Sequence, residues 1–484
     1  MNIYKNTNVI SGFLWRLMER MGAQVVSFIV YIVIARILGP DEFGTVALIT
    51  VFTTIMQVFV DSGLGNALIQ KKNADDTDFS TVFYVNILFC CALYVLMWVL
   101  SPFIADFYRD SQMVPYIRVL SLTIIVSGIK NVQQAYVSRN MLFKKFFFST
   151  LGGTIGAAIV GILLALNGFG VWALIAQQLF NLIVDTVILW ITVPWRPIRA
   201  FSWQRLKTLF SYGWKLLVST LLDVGYHNLR QLLIGKVYTR TDLAYYNQGD
   251  KFPNIIISNI NSSIDSVLLP AMSHEQDDKA RIRDMTRRSI TISTYLMGPL
   301  LIGMAACAES IVHIFLTDKW LFCIPYMRIF CIGYLFYPIH TANLNAIKAM
   351  GRSDIFLKLE IIKKAVGLAI LLVSIRISVM AIAWSLLIST AISMVINSWP
   401  NKKLLDYTFF SQIKDILSNL ILAVIMGFLV YIEGRFIPYN MAVRLIVQIV
   451  SGAVIYLVLS VIFKNGSYQY LMGVVKDRFI KHTT

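Results

Sequence analysis

Polar and ionisable side chains recur at helical spacing inside the long apolar runs of this 484-residue chain. Lys215, Asp223, His227 and Arg230 fall within about 120° of arc on a helix. Asp250, Asn254, Ser258, Asn261 and Asp265 fall within about 80° on the next one. Thr50, Thr54, Gln57 and Asp61 form a third stripe, and Arg16, Arg20 and Gln24 a fourth. Lys130 stands beside Gln133 and Gln134, and Asp185, His340, Lys348, Glu360, Lys363 and Lys364 interrupt other apolar runs. A charge at the centre of a membrane helix costs about 2.5–3.5 kcal/mol to insert. The stripes therefore predict a hydrated cavity, lined mainly by the helices that carry them. Two simpler readings stand beside this one. Arg16, Arg139, Lys236, Lys348 and Lys358 lie close enough to run ends for their side chains to reach the surface. Acid–base neighbours also form purely structural pairs, and for Asp185, His313 and His340 a packed, hydrogen-bonded side chain explains as much as a site does.

The elements that must position these residues follow from composition. The chain is 57% hydrophobic and 14% charged, where soluble domains carry about 25% charged residues. Its apolar residues come in runs of about twenty, the length a helix needs to cross the hydrocarbon. Inside a bilayer each backbone amide must be satisfied within its own segment or a closed barrel. The runs do not alternate like barrel strands, so the fold class is all-α integral membrane. Fourteen spans are expected, at 10–37, 43–69, 79–105, 113–138, 147–166, 170–193, 209–237, 245–272, 288–316, 323–348, 355–375, 377–397, 415–437 and 440–463.

The net charge of +17 sits in connectors, so it reads as an orientation signal and not as a nucleic-acid surface. One alternating set of connectors holds most of the lysines and arginines, including Lys71, Arg139, Arg199, Arg205, Arg287 and Lys402. The other set holds only Arg109, Arg240, Lys319, Arg376 and Arg435. The positive-inside rule places the rich set, and both termini, in the cytoplasm. The connector Pro194-Trp-Arg-Pro-Ile-Arg-Ala-Phe-Ser-Trp-Gln-Arg-Leu-Lys207 interleaves aromatics with cations. It reads equally well as a segment lying on the inner membrane surface and as an ordinary basic loop.

A shift of 200 residues overlays spans 1 and 2 on spans 7 and 8, matching Ser11 with Ser211 and Ala35-Arg36-Ile37 with Gly235-Lys236-Val237. The expected organisation is a six-helix lobe over 1–200, a second over 201–400 related by a parallel repeat, and two additional helices with a basic tail over 401–484. Gly152-x-x-x-Gly156, followed by Gly161, predicts close approach of one helix to a neighbour.

Cys90, Cys91, Cys307, Cys323 and Cys331 form no C-x-x-C pair and suggest neither a disulfide framework nor a metal site. No phosphate loop, H-E-x-x-H or G-x-S-x-G motif is present. The outer connectors are short, which argues against a polymerase that must hold sugar in a folded loop.

Ile34-Ala-Arg-Ile-Leu-Gly-Pro-Asp-Glu-Phe-Gly44 and Asp61-Ser-Gly-Leu-Gly-Asn-Ala-Leu-Ile-Gln70 resemble the opening hairpin of bacterial polysaccharide exporters of the multidrug/oligosaccharidyl-lipid/polysaccharide flippase superfamily. Phe210-Ser-Tyr-Gly-Trp214 and Tyr245-Tyr-Asn-Gln-Gly-Asp-Lys-Phe-Pro253 resemble the start of the second half in the subgroup exporting O-antigen-type units. The resemblance implies a flippase, not an enzyme, that moves an undecaprenyl-diphosphate-linked oligosaccharide across the bacterial cytoplasmic membrane by alternating access. It implies no cofactor. Its partners would be the lipid-linked substrate, membrane lipids, and the glycosyltransferases and polymerase of the same pathway. Cations match the geometry of a diphosphate, which makes Arg16, Arg20, Lys130, Lys215, Arg230 and Lys251 headgroup candidates. Gln57, Asn254, Asn261, Tyr226 and Tyr246 offer partners for sugar, and Asp61, Asp223, Asp250 and Asp265 are candidates for proton or sodium coupling. An ion-coupled multidrug exporter of the same fold, a polysaccharide polymerase or ligase, and a scaffold for the glycan machinery remain as alternatives.

Overall fold

Large apolar side chains cover much of the outer surface of this chain, as suits helices bathed in lipid. The computed structural model describes the backbone of residues 2–61, 64–71, 74–140, 142–436 and 440–483. The side chains of residues 2–17, 19–20, 61, 66–67, 70, 143, 208–209, 211–213, 215–216, 474–475 and 477–483 lie outside the description. Among the described residues the structure is helical, with no strand.

Backbone contacts divide the chain into residues 1–244 and 245–484. The first unit holds α1 (Asn2–Ile37), α2 (Pro40–Asp61), α3 (Leu64–Gln70), α4 (Asp76–Phe107), α5 (Met113–Leu120), α6 (Leu122–Arg139), α7 (Phe143–Leu166), α8 (Val171–Thr192), α9 (Trp203–Val237) and the first turn of α10 (Arg240–His274). The second holds the rest of α10, α11 (Lys279–Ala306), α12 (Ala308–Phe315), a 3₁₀ turn (Asp318–Cys323), α13 (Ile324–Tyr334), α14 (Tyr337–Ala349), α15 (Ser353–Ser374), α16 (Val379–Leu404), α17 (Phe409–Phe436), α18 (Met441–Ile462) and α19 (Gly466–Thr483). The contact division at 244/245 and the repeat boundary expected at 200/201 are different properties, and the lobes of the repeat remain a proposal.

Each of the fourteen expected apolar runs falls on helix. Several are interrupted: the fourth by Ser121, the ninth between α11 and α12, and the tenth ahead of Pro338. Among the described residues, eleven helical stretches are long and apolar enough to cross a bilayer, and Met21–Ile37 is a shorter apolar one. The full count of fourteen is therefore not confirmed. α9 and α15 fall outside the eleven, and both carry charges mid-helix: Asp223 and Arg230 in one, Glu360, Lys363 and Lys364 in the other.

The helix ends are set locally. Asp75 caps α4 by accepting from the Asp78 N–H at 3.0 Å, while the Asp78 carboxylate accepts from the Asp75 N–H at 3.2 Å. This reciprocal capping satisfies amides that the first turn leaves without intrahelical partners. The turn from α7 to α8 needs left-handed backbone at Gly168 (φ 77°) and Gly170 (φ 53°), which glycine adopts without steric cost.

Small residues set the closest contacts, as the Gly152–Gly156 spacing predicts. A Cβ on Gly153 would come within 2.8 Å of the Asn181 carbonyl oxygen, and one on Gly161 within 3.0 Å of Gln177 and 3.1 Å of Ile34. α7 thereby closes on α8 and α1. In α18 the outward positions are Val443, Ile446, Ile449, Val450, Val454, Leu457 and Val458. Its inward positions include Gln448, Tyr456 and Ser460, all hydrogen-bonded: Gln448 Nε2 donates to the Val430 carbonyl at 3.1 Å, and the Tyr456 hydroxyl to the Tyr295 carbonyl at 2.9 Å. Lipid gains nothing from the burial of more leucine, so polar contacts and close packing hold such helices together.

The tightest of these contacts ties α14, α16 and α17. Asn343 donates to Gln412 Oε1 at 2.8 Å and accepts from Asn401 Nδ2 at 2.6 Å and Gln412 Nε2 at 3.0 Å. All three side chains have no exposed surface. Asn343→Ala strands the amides of Gln412 and Asn401, at a cost of about 1–3 kcal/mol per unsatisfied group. Thermal unfolding of the purified protein in detergent is expected to show a clear drop in Tm for this variant, while Asn259→Ala, on an exposed face, leaves Tm unchanged.

Candidate functional site

A helix that spans a bilayer and exposes asparagine, serine and aspartate along its middle faces water, because lipid offers those groups no partner. α10 is long and apolar enough to be such a helix. Between residues 251 and 270 its exposed side chains are Lys251, Asn254, Ser258, Asn259, Ser262, Ser263, Asp265 and Ser266, joined only by Val267 and Pro270. The exposed surface of α18, at comparable length, is entirely apolar apart from its ends. Several of the α10 hydroxyls donate to carbonyls of their own helix, as Ser263 does to Asn259 at 2.8 Å. The Oδ1 of half-buried Asn261 makes no hydrogen bond with a described residue.

Asp250 begins this stripe and is held from two sides. The Tyr334 hydroxyl donates to its Oδ1, and Asn254 Nδ2 donates to its Oδ2 at 3.1 Å. It is thus the anchored end of a polar face, with exposed Lys251 next to it in sequence. Tyr246 does not join this face. It is buried and packs edge-on against Phe330 at 5.1 Å, so its ring serves the core of the second unit.

In the first unit, α9 shows a second polar stripe. Ser219, Asp223 and His227 are exposed, and His227 Nε2 lies 3.7 Å from Asp223 Oδ2. Arg230, one turn further, is half-buried, and its Nε makes no hydrogen bond with a described residue. Gln57 on α2 is half-buried. The side chains of Arg16, Arg20, Asp61 and Lys215 lie outside the described residues; their backbones belong to α1, α2 and α9.

Lys130 has a partner: its Nζ pairs with the Asp185 carboxylate, joining α6 to α8 with both side chains largely buried. Sequence reading placed these two residues in separate helices without connecting them. Gln133, fully buried, donates to the Trp195 carbonyl at 3.2 Å and so braces the connector after α8. His340 meets the Asn397 side chain at 2.9 Å, and Lys363 pairs with Glu360 at 2.6 Å.

Two fastenings of α9 were not anticipated. At the end of the first unit that carries its basic connectors, Asp78 is buried between Lys71 Nζ at 2.6 Å and Arg205 Nη1 at 3.4 Å, and Arg205 also pairs with Asp75. The Arg205 guanidinium, with the Asp78 N–H, lowers the Asp75 carboxyl to about 2. An acid with a lowered pKa loses its stabilising charge only as pH falls below the usual carboxylate range toward that value, so the Asp75–Arg205 pair stays ionised at neutral pH. The Asp-x-x-Asp spacing ahead of an apolar run signals the cap, but nothing local signals the partner 130 residues away. At the opposite end, Arg240 Nη1 lies 2.9 Å from Asp110 Oδ2 and donates to Thr45 Oγ1 at 3.3 Å. The Tyr108 hydroxyl donates to the Leu232 carbonyl at 3.3 Å. A Cβ on Gly44 would overlap the Arg240 carbonyl, and one on Gly235 would overlap Leu48.

Among the described residues no cluster of histidine, cysteine and carboxylate side chains could hold a metal ion. The arrangement is one of exposed polar stripes and paired charges.

The chain is similar to the teichuronic acid biosynthesis protein TuaB of Bacillus subtilis, with 24% identity over 94% of this chain and 95% of that one. It is similar to the succinoglycan biosynthesis transport protein ExoT of Rhizobium meliloti, with 23% identity over 96% and 95%. The lipopolysaccharide biosynthesis protein WzxC of Escherichia coli shares 22% identity over 73% and 72%. Among solved structures, the lipid II flippase MurJ in an inward closed conformation superposes with a TM-score of 0.74 at 15% identity, covering 95% of this chain and all of that one. An inward-facing multidrug transporter of the MATE family of the MOP superfamily gives 0.64 at 14% identity, over 81% and 98%. These likenesses establish the fold. The model of the polysaccharide biosynthesis protein family matches residues 33–325, and the chain belongs to that family.

Proposed function

We propose that this chain flips an undecaprenyl-diphosphate-linked oligosaccharide from the inner to the outer leaflet of a bacterial cytoplasmic membrane, with both termini in the cytoplasm. The observation that carries the reading is the exposed polar face of α10, which only an aqueous path through the membrane accommodates. Family membership and relatives named for teichuronic acid, succinoglycan and lipopolysaccharide support a glycan cargo. The protein is a transporter and not a catalyst.

In this reading the diphosphate meets cations, because guanidinium and ammonium groups form short charge-assisted hydrogen bonds with phosphate oxygens. Arg16, Arg20, Lys215, Arg230 and Lys251 serve this role. Lys130 is the weakest member of the set, since Asp185 already balances its charge. Gln57, Asn254 and Asn261 offer amides to sugar hydroxyls, and the isoprenoid tail stays in lipid. Asp61, Asp223, Asp250 and Asp265 are the groups that would carry a coupling proton or sodium ion. Outward movement of the anion is assisted by an inside-negative potential, by about 2.3 kcal/mol per charge per 100 mV. Alternating access requires α9 to release one end at a time. The Gly44–Arg240 contact with its Asp110 ion pair closes the outer end, and the Asp75–Asp78–Arg205–Lys71 cluster holds the inner end.

Complementation of a flippase-null strain tests the assignment. Wild type is expected to restore surface glycan. Arg230→Ala is expected to reduce it about ten-fold or more, as loss of a charge-assisted contact worth about 1.5–3 kcal/mol would, with Arg230→Lys intermediate. Efflux of cationic dyes without glycan rescue would favour a multidrug exporter instead.

The outer fastening makes a separate expectation. Gly44→Val forces side-chain atoms into the Arg240 backbone, so export should fall below detection while the protein still inserts and accumulates. Normal export by a stable Gly44→Val protein would show that this contact plays no part in the cycle.

A further inference from the structure

The connector from α8 to α9 is neither a free loop nor an interfacial helix. Residues 193–202 form neither helix nor strand and pass across the start of α4. Trp195 is buried, with its ring 5.8 Å from Phe79 and 6.0 Å from Phe83. The Ile198 N–H donates to Ser80 Oγ at 2.9 Å, and the Ser202 N–H to Thr81 Oγ1 at 3.1 Å; both hydroxyl residues are fully buried. The two tryptophans of the connector thus part company: Trp195 faces the protein, and Trp203 is 69% exposed.

This strap fixes how α9 begins. Its first turns place Trp203, Lys207 and Phe210, at i, i+4 and i+7, on one face. That face stands against Tyr84 and Leu88 of α4, and a groove of about 680 Å³ lies between them. The volume is within the roughly 300–1,000 Å³ typical of small-molecule sites. The walls are apolar, and Lys207 is the one charged residue in the lining. Two neighbouring cations are committed elsewhere, Arg205 to Asp75 and Asp78, and Arg196 to the carbonyls of Val193 and Trp195 at 2.6 and 2.7 Å; Arg199 is exposed but does not line the groove. Lys207 is exposed and makes no ion pair with a described residue.

We propose that this groove is a binding site for an anionic glycerophospholipid of the surrounding leaflet. α4 is long and apolar enough to span the bilayer, so a groove along it opens to lipid and not to water. An acyl chain fits against Leu88, Tyr84 and Phe210. Trp203 takes the headgroup depth that tryptophan favours, and Lys207 meets the phosphate. A lysine near the membrane surface attracts anionic lipid and has no such preference for a zwitterionic one. The site is distinct from the polar stripes of α9 and α10 and does not depend on what the protein transports. Its occupant would wedge the strap and the start of α9 against α4.

The test is native mass spectrometry of the full-length protein released from nanodiscs of equal phosphatidylglycerol and phosphatidylcholine. Wild type is expected to retain phosphatidylglycerol preferentially. Lys207→Gln should cut that preference about five-fold, the loss expected for one interfacial lysine, whereas Lys207→Arg and the distant Lys402→Gln keep it. Leu88→Trp, which fills the groove, should reduce retention of both lipids at this site. Equal retention of the two lipids by wild type, or an undiminished preference in Lys207→Gln, would overturn the proposal. So would displacement of the bound lipid by an equal concentration of undecaprenyl diphosphate, which would make the groove part of the substrate path.

Discussion

A polar side chain carried into a bilayer must find water or a partner, and this requirement organises the whole molecule. Backbone amides meet it by forming helices. Side chains meet it in two ways here, and the difference separates structure from function. The amides of Asn343, Asn401 and Gln412 meet one another and have no exposed surface. Lys130 meets Asp185. In the α10 stripe Asp250 meets Tyr334 of α13, while Asn254, Ser258 and Asp265 are exposed, and at mid-membrane depth such groups need water.

That distinction also explains why one chain needs such unequal helices. α18 turns valine, isoleucine and leucine outward and keeps Gln448, Tyr456 and Ser460 inside, which suits a helix bathed in lipid. α10 exposes serine, asparagine and aspartate, which suits a helix that borders a passage. α9 combines both, with Leu222 exposed beside Asp223, and it is fastened near its start by the Arg205 ion pairs and near its end by the Tyr108–Leu232 hydrogen bond and the Gly235–Leu48 contact. A helix clamped at its ends and polar in its middle can change which end is open without rebuilding its core. That property is what a carrier for a bulky, charged, lipid-linked sugar requires.

Much of this was legible in the sequence because a helix converts spacing into direction. Asp250, Asn254, Ser258, Asn261 and Asp265 recur at helical intervals, so their common face could be read before any coordinates. Close packing of α7 was readable for the same reason, since Gly152 and Gly156 share a side. What stayed hidden was pairing across distance. Lys130 and Asp185 were each visible as a charge out of place, yet only folding brings α6 to α8. Arg205 and Asp75, or Arg240 and Asp110, look like ordinary connector charges until the ends of α9 are placed. Trp195 and Trp203 are chemically identical in the sequence, and their opposite fates depend on Phe79 and Phe83, more than a hundred residues earlier. The side chains of Arg16, Arg20, Asp61 and Lys215 lie outside the described residues, so their part in the site rests on helical spacing alone.

The central claim is that the exposed face of α10 borders water at mid-membrane depth. Single cysteines introduced in a cysteine-free background at Asn254, Ser258 and Ser262, and at Val450 and Val454 of α18, can be treated with a membrane-impermeant thiol reagent in open membrane fragments. The account predicts rapid labelling at the three α10 positions and none at the two α18 positions. Equal protection of both helices would contradict it.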